Sequence, residues 1–166
     1  MQVNYFGAVV LTKAVLPSMI KRKQGRILFI GSLQGKFGMP ERSAYGASKH
    51  ALEGFCDSLR AEVNEENIKV TMVSPSYINT SLSLNAITGS GEKFGANDDA
   101  TASGDDRFEL ANEILRRILS DEKDVILGPM AHRFLPCVRS VYPEMYFWIM
   151  ARRAKSLRKQ KLMSSL

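Results

Sequence analysis

The sequence predicts an α/β fold, a parallel sheet of about three strands covered by helices. Three short segments, at residues 26–31, 68–74 and 124–127, are almost continuously apolar. Such runs are typical of strands buried on both faces of a parallel sheet. Longer segments with apolar residues at helical spacing separate and flank them. Strands that alternate with long helices favour right-handed crossovers and a sheet with helices on both faces.

The first predicted helix covers residues 2–23, where apolar side chains recur at helical spacing. Pro17 lies late in this segment, so the sequence leaves open a bend or an early end there. The basic run 21–23 suits a helix C-terminus, where cations face the negative end of the helix dipole. Gly25 then stops the helix. Because the helical spacing begins at residue 2, the first residues are predicted to belong to this helix, and no signal peptide is predicted.

Two further helices are predicted, at residues 44–65 and 107–119. Asp105 or Asp106 can cap the start of the latter, because a carboxylate accepts hydrogen bonds from the free N–H groups of a helix N-terminus. The polar, glycine-containing stretch 81–106 is longer than an ordinary loop. Loops of this length in compact folds are usually functional or disordered.

The C-terminal tail is basic, and we expect it to be largely helical, with interruptions at Pro136 and Pro143. The chain has 23 basic and 17 acidic residues, and six of the cations lie in the last fifteen residues with no acidic residue among them. The apolar run 145–151 is far shorter than the roughly 20 residues that span a bilayer. One interpretation is an interfacial helix on an anionic membrane surface. The other is a helix packed on the domain with its charged end in water. Nucleic-acid binding is not predicted, because no recognition motif accompanies the charge.

The two cysteines, Cys56 and Cys137, are too few for a disulfide framework and lack metal-ligand spacing. They indicate a reducing, intracellular compartment or the cytosolic side of a membrane, and their simpler interpretation is as small apolar fillers. No metal site is predicted.

The candidate chemical site is a tyrosine followed four residues later by a lysine. Tyr45 and Lys49 share one face of the predicted helix, because positions i and i+4 do. A free phenol has a pKa of about 10, and a neighbouring ammonium favours the phenolate. Ser32 follows the strand at 26–31, and ligands bind beyond the carboxyl ends of the strands in an open parallel sheet. This pattern predicts proton transfer at a carbonyl, with Ser32 holding the carbonyl oxygen and Tyr45 exchanging the proton.

The spacing of Tyr45 and Lys49 also has a simpler explanation. In a chain with five tyrosines and many lysines, one such match arises readily by chance. It would then describe a surface helix with an exposed lysine and a half-buried tyrosine. The wider pattern decides between the two, because the segment 75–80 follows the next strand and converges on the same crevice.

In order and spacing, these residues resemble the active site of the short-chain dehydrogenase/reductase family. Asn4 falls where the family has its helix asparagine, and Ser32 where the family has its substrate-orienting serine. Tyr45 corresponds to the acid/base and Lys49 to its partner. An alternative for Asn4 is a plain polar residue in a helix.

The segment after the second strand resembles the family's Pro-Gly-x-x-x-Thr turn, which holds the nicotinamide end of the cofactor. Pro75, Ile78 and Thr80 match it. Ser76 occupies the usual glycine position, where glycine permits a positive φ, so the grip on the cofactor is expected to change.

The resemblance implies an oxidoreductase that interconverts a carbonyl and an alcohol with NADP or NAD. It also implies that Tyr45 and Lys49 bind the cofactor, and that the backbone carbonyl of Asn4 holds a water that extends a proton relay. A lipid-like small-molecule substrate fits the membrane-leaning tail. Tyr77 and the segment 82–86 fall where the family has its substrate loop, or form a poorly ordered flap.

Two histidines are not expected to take part in this chemistry. His50 lies about 100° from Lys49 around the helix, which predicts a surface role. His132 is predicted to be structural and without a partner.

The resemblance covers only the C-terminal half of a Rossmann-type doubly wound sheet, at residues 1–128, followed by the tail 129–166. The family's glycine-rich cofactor motif is not found, since the stretch 88–91 lacks a preceding strand and a following helix. We therefore expect this chain to be inactive alone. It is also expected to be poorly stable, because the strand at 26–31 would be an unpaired apolar edge.

The resemblance also bears on partners and location. The family's common dimer contact would use the helices at 2–23 and 44–65. The alternative function is a non-enzymatic fragment that dimerises with or modulates a full-length partner. Membrane association at the endoplasmic reticulum is implied by the resemblance, and a cytoplasmic location is expected for a truncated chain.

Overall fold

The computed structural model describes residues 1–80 and 104–164. Its sheet has three parallel strands in the order β1-β2-β3, namely β1 Gly25–Ile30, β2 Ile68–Pro75 and β3 Asp124–Leu127. Ile27 lies opposite Val70 in the register, and Val73 lies opposite Val125. The predicted fold class is confirmed, and each strand lies within one residue of its predicted bounds.

Five α-helices cover this sheet in the described part of the chain. They are α1 Gly7–Lys21, preceded by a π-helical segment Gln2–Phe6, α2 Ser43–Glu62, α3 Arg107–Leu119, α4 Met130–Val141 and α5 Pro143–Ser164. The predicted cap of α3 is Asp106, whose carboxylate accepts hydrogen bonds from the N–H groups of Phe108 at 2.8 Å and Glu109 at 3.1 Å. This cap satisfies two of the four free donors at the helix start.

Proline interrupts the helices at one of three predicted places. Pro17 and Pro136 both lie inside helices, so the predicted interruption at Pro136 is wrong and α1 does not end early. At Pro17 the carbonyl that loses its partner belongs to the exposed residue Lys13, where water can replace the missing donor. Pro143 does separate two helices, because it begins α5, where its missing N–H is not needed.

The main core lies between α2 and the first two strands. Phe29 and Met72 of the sheet meet Leu52 and Cys56 of the helix in one buried cluster. A second cluster joins β2 and β3 to α3. A third joins the loop after β1 to α5, where Leu33 and Phe37 pack on Tyr146. The C-terminal helices are thus attached to the loop that follows the first strand.

Much of the apolar surface of α1 and of the segment Gln2–Phe6 before it is exposed. Val3 is 88% and Leu11 70% exposed, and Thr12 is the one buried residue of the helix. The predicted helix is confirmed, but its apolar surface is only partly covered: Ala8, Leu16 and Met19 pack against the main core, whereas Val10 and Leu11 remain exposed. By length and composition alone, the segment Gln2–Lys21 could cross a membrane, with a mean hydropathy of 1.4. Within the described residues, β1 pairs with β2 on one side only.

Candidate active site

The first turns of α2 bring Tyr45 and Lys49 together at the carboxyl end of β1. Both side chains are half-buried, and the Lys49 Nζ lies 5.8 Å from the centroid of the Tyr45 ring. The same ammonium donates a hydrogen bond of 3.0 Å to the carbonyl of Ile30, the last residue of β1. Burial lowers the pKa of Lys49. The cation is therefore held between the helix and the strand end, beside the phenol.

Ser32 lies two residues beyond β1 and begins a tight turn, Leu33–Gly35. Its Oγ accepts a hydrogen bond of 3.3 Å from the Gln34 N–H. This turn packs directly on α2, because a Cβ added to Gly35 would lie 3.0 Å from the Lys49 carbonyl oxygen. A side chain at Gly35 would crowd the Lys49 backbone, so glycine favours this close approach. The serine loop and the lysine turn are thereby held in contact.

Asn4 is tied to the helical turn that carries the tyrosine. Its Nδ2 donates a hydrogen bond of 3.0 Å to the Oγ of Ser48, which donates one of 2.7 Å to the Tyr45 carbonyl. Ser48 is 1% exposed, so this chain of hydrogen bonds is shielded from water. Sequence reasoning missed Ser48, although its place between Tyr45 and Lys49 on the partly buried helix was a usable signal.

The turn after β2 lies at the same edge of the sheet. The Ser76 N–H donates to the Leu127 carbonyl at 2.9 Å, and Ile78 forms an isolated parallel bridge with Asp105. The Thr80 hydroxyl donates to the Ile78 carbonyl at 3.5 Å. Parallel strands end at one edge, so this turn and the Ser32 loop are neighbours. The predicted substrate segment 82–86 and the stretch 88–91 lie outside the described residues.

The departure at Ser76 has a structural explanation. Its Oγ lies 2.7 Å from the Nδ1 of His132 on α4, and its backbone does not adopt a positive φ. Gly128 has a φ of 129°, and a Cβ there would lie 2.5 Å from the Ser76 Cβ. The bulk of the serine is thus matched by a glycine opposite. The prediction that His132 has no partner is wrong, because the contact joins residues that are far apart in sequence.

The aromatic ring of Tyr77 is held by both C-terminal helices. It meets the His132 ring edge-to-face, with centroids 6.2 Å apart. Its hydroxyl accepts a hydrogen bond of 3.2 Å from Arg153 on α5. Together with the contact at Ser76, these interactions connect the tail to the turn that follows β2.

A buried ion pair lies one helical turn beyond Lys49, where Lys36 of the Ser32 loop meets Glu53 of α2. Their side chains are 14% and 12% exposed, and Lys36 also contacts Asp124 of β3 at 2.6 Å. Burial alone would lower the pKa of Lys36, but the hydrogen bonds to Asp124 and Glu53 outweigh it and raise that pKa. Burial raises the pKa of the Glu53 carboxyl, against the opposing effect of Lys36.

This pair fixes the loop to the helix. Within the described residues, the Glu53 Oε2 is buried with no hydrogen-bond partner. The negative charge of the Glu53 carboxylate is therefore stabilised through the contact of Oε1 with Lys36. Sequence reasoning did not find the pair. The spacing of Tyr45, Lys49 and Glu53 at i, i+4 and i+8 was the available signal.

His50 takes no part in the site. It is exposed, and its Nδ1 lies 2.8 Å from the Gly46 carbonyl of its own helix. The predicted surface position is confirmed. Within the described residues, no group of acidic, histidine or cysteine side chains could hold a metal ion.

Comparisons with known proteins agree on one family. The family model described as short chain dehydrogenase matches residues 1–89. The chain is 59% identical over 157 residues to a dehydrogenase/reductase SDR family protein 7-like of Anopheles gambiae, covering 95% of this chain and 50% of that protein. It is 50% identical over 161 residues to dehydrogenase/reductase SDR family member 7B of Mus musculus, covering 97% of this chain and 50% of that protein.

A solved structure shares the fold. It is a short chain dehydrogenase from Burkholderia cenocepacia in complex with NADP, with a TM-score of 0.73 and 21% sequence identity. The match covers 90% of this chain and 56% of that one. The chain thus spans about half the length of the curated relatives it matches.

Proposed function

The chain belongs to the short-chain dehydrogenase/reductase family, and on that premise we propose that it forms the proton-transfer part of a nicotinamide-dependent oxidoreductase that interconverts a carbonyl and an alcohol. The observation that carries the proposal is the position of the Lys49 ammonium, 5.8 Å from the Tyr45 ring and bonded to the end of β1. A phenol beside a fixed cation at the carboxyl end of a parallel sheet is suited to exchanging a proton with a bound ligand.

Each side chain has one role in the proton transfer. Tyr45 gives its hydroxyl proton to the carbonyl oxygen in reduction and takes it back in oxidation. Lys49 stabilises the phenolate that forms, because opposite charges attract strongly in a partly buried site. Ser32 holds the substrate oxygen by a hydrogen bond. A positioned acid/base of this kind contributes about 10²–10⁴-fold to the rate.

The residues present fit the nicotinamide end of a dinucleotide. A lysine ammonium has three N–H donors, and Lys49 uses one of them on Ile30, which leaves donors for ribose hydroxyls. Pro75, Ile78 and Thr80 provide the turn against the nicotinamide side. When bound, NADP or NAD would supply or accept the hydride. The fold relative from Burkholderia cenocepacia is a complex with NADP, which supports this class of cofactor.

Asn4 supports the site through Ser48. The hydrogen bonds from Asn4 to Ser48 and from Ser48 to the Tyr45 carbonyl fix the first turn of α2. We assign the backbone carbonyl of Asn4 a second role, in which it holds a water that relays protons to Lys49. The substrate proposed is a small, lipid-like carbonyl compound.

The proposal is tested by joining this chain to the part of the mouse relative that it does not cover. The fused protein is expected to oxidise NADPH or NADH in the presence of a panel of ketones and aldehydes, and the chain alone is expected to show no turnover. The proposal fails if the fusion folds and binds the dinucleotide but reduces no carbonyl in the panel. Turnover by the chain alone would disprove the expectation that the uncovered part is needed.

A second function, a non-enzymatic fragment that binds a full-length partner, is favoured by the exposure of α1. Val3, Val10 and Leu11 are 88%, 65% and 70% exposed, and exposed apolar patches commonly mark interaction sites. Pairing through α1 and α2 would cover them. This second function predicts that the chain and the full-length mouse relative sediment together as a mixed complex. It also predicts that adding the chain changes the turnover of that relative.

A further inference from the structure

The outer face of α5 carries a stripe formed by Trp148, Arg152, Lys155 and Lys159, hereafter the aromatic–basic stripe. Its members are spaced by four, three and four residues, so they lie on one side of the helix. All four are exposed. The stripe is about 16 Å long at 1.5 Å per residue.

The opposite side of α5 is fixed to the domain. Tyr146 is 3% exposed, donates its hydroxyl hydrogen to the Gly38 carbonyl and packs in the cluster with Leu33 and Phe37. Trp148 is two residues further on, which places it about 200° around the helix axis. Because α5 is held by Tyr146, its aromatic–basic stripe is directed away from the sheet.

Exposed apolar side chains also lie at the junction of α4 and α5, and Met145 precedes Trp148 by three residues on the same helix face. Val141, Tyr142 and Met145 are 64%, 63% and 45% exposed. The exposed tryptophan is 57% accessible, and the Arg152 guanidinium lies 4.6 Å from the centroid of its ring. This cation–π contact places an exposed aromatic ring and a positive charge side by side on the surface.

The charge of this region is predominantly positive. Residues 129–166 contain eight of the 23 basic residues of the chain and one of its 17 acidic residues, Glu144. We propose that the aromatic–basic stripe, with Val141, Tyr142 and Met145, docks the protein on an anionic phospholipid surface. The apolar group enters the headgroup region, where aromatic side chains are favoured, and the cations contact lipid phosphates.

The single tryptophan of the chain makes the test direct. Because Trp148 is the only one, its fluorescence reports its surroundings without interference. Adding phosphatidylcholine vesicles that contain phosphatidylserine should shift its emission to shorter wavelength and deposit the protein with the vesicles. Phosphatidylcholine vesicles alone should have a much weaker effect, and high salt should reduce binding by screening the charges.

Two variants and two controls separate the stripe from general charge and apolarity. Replacing Arg152, Lys155 and Lys159 by glutamine should weaken partition by about 100-fold, at roughly 1 kcal/mol per cation. Trp148→Ala should weaken partition by about tenfold, and because this variant lacks the tryptophan its binding is measured by vesicle flotation. The charge-matched control replaces the exposed residues Lys13, Lys21 and Lys123 by glutamine. The apolar control is Leu11→Ser on α1. Both controls should bind as the parent does.

The binding results show whether the aromatic–basic stripe contacts a lipid surface or a second copy of the chain. The proposal is overturned if the parent chain does not bind anionic vesicles, or if the charge-matched control weakens binding as much as the stripe variant. It is also overturned if the Leu11→Ser change abolishes binding, since α1 would then be the lipid-binding element. A dimer that Trp148→Ala dissociates, without vesicle binding by the parent, would assign this face to a second copy of the chain.

Discussion

Removing the cation of the buried Lys36–Glu53 pair should strongly destabilise the fold. Methionine at position 36 keeps most of the side-chain volume but leaves the Glu53 carboxylate, 12% exposed, without its cation. One Glu53 oxygen already has no hydrogen-bond partner within the described residues, so the local structure offers no replacement. Breaking a buried pair in this way costs about 3 kcal/mol. For a chain of 166 residues, this corresponds to a fall of about 9 °C in Tm.

Urea denaturation followed by circular dichroism measures the effect, with a double-mutant cycle as the control. Adding Glu53→Gln to Lys36→Met removes the unpaired charge and should restore much of the lost stability. Lys69→Met changes a half-exposed lysine that is 3.3 Å from Asp121 and should leave the denaturation midpoint close to that of the parent. A loss below about 1 kcal/mol for Lys36→Met, as at a surface pair, would refute this account of the loop.

The pH dependence of the same variant follows from the Glu53 carboxyl. Burial raises its pKa in the folded state, so its ionised form destabilises the fold. The penalty is absent below the unfolded pKa of about 4.3 and develops as the pH rises through the folded pKa. The deficit of Lys36→Met should therefore shrink as the pH is lowered from 7 towards the unfolded pKa of Glu53, and a deficit that stays constant over this range would contradict the assignment.

Three further predictions concern single groups. The pKa of Lys36 is raised in the folded state, so its ammonium stabilises the fold at pH values below its unfolded pKa, near 10.4. This stabilisation is lost as the pH rises through the folded pKa of Lys36. Alkaline titration should therefore destabilise the parent chain more than it destabilises Lys36→Met. Burial raises the pKa of the Cys56 thiol to about 12, so a disulfide reagent at pH 8 should label the exposed Cys137 and reach Cys56 only in denaturant. Asp106→Ala removes the α3 cap and should cost about 1 kcal/mol in urea denaturation, whereas Asp106→Asn should retain most of that stability.

The strands and the proximity of Tyr45 and Lys49 could be predicted because their signals are local. The runs at β1, β2 and β3 are short and apolar throughout, and burial on both faces leaves few other interpretations. Tyr45 and Lys49 lie one helical turn apart, so the spacing alone places them side by side once the helix is predicted.

The rest of the site depends on contacts between distant segments. His132 meets Ser76 across 56 residues, and Lys36 meets Glu53 only because the Ser32 loop folds back on α2. The spacing of residues along the sequence does not reveal these contacts. The exposure of α1 could not be predicted either, because an apolar stripe indicates that a surface is suited to burial and not what covers it.

If the Tyr45 hydroxyl exchanges the proton with the substrate, its removal should abolish most of the carbonyl reduction. The most direct test is kcat/KM for carbonyl reduction by the fusion with the uncovered part of the mouse relative, comparing Tyr45→Phe with Tyr142→Phe, a change at an exposed tyrosine. We expect a loss of at least about 100-fold for Tyr45→Phe and no change for Tyr142→Phe. Equal activity in the two variants would contradict it.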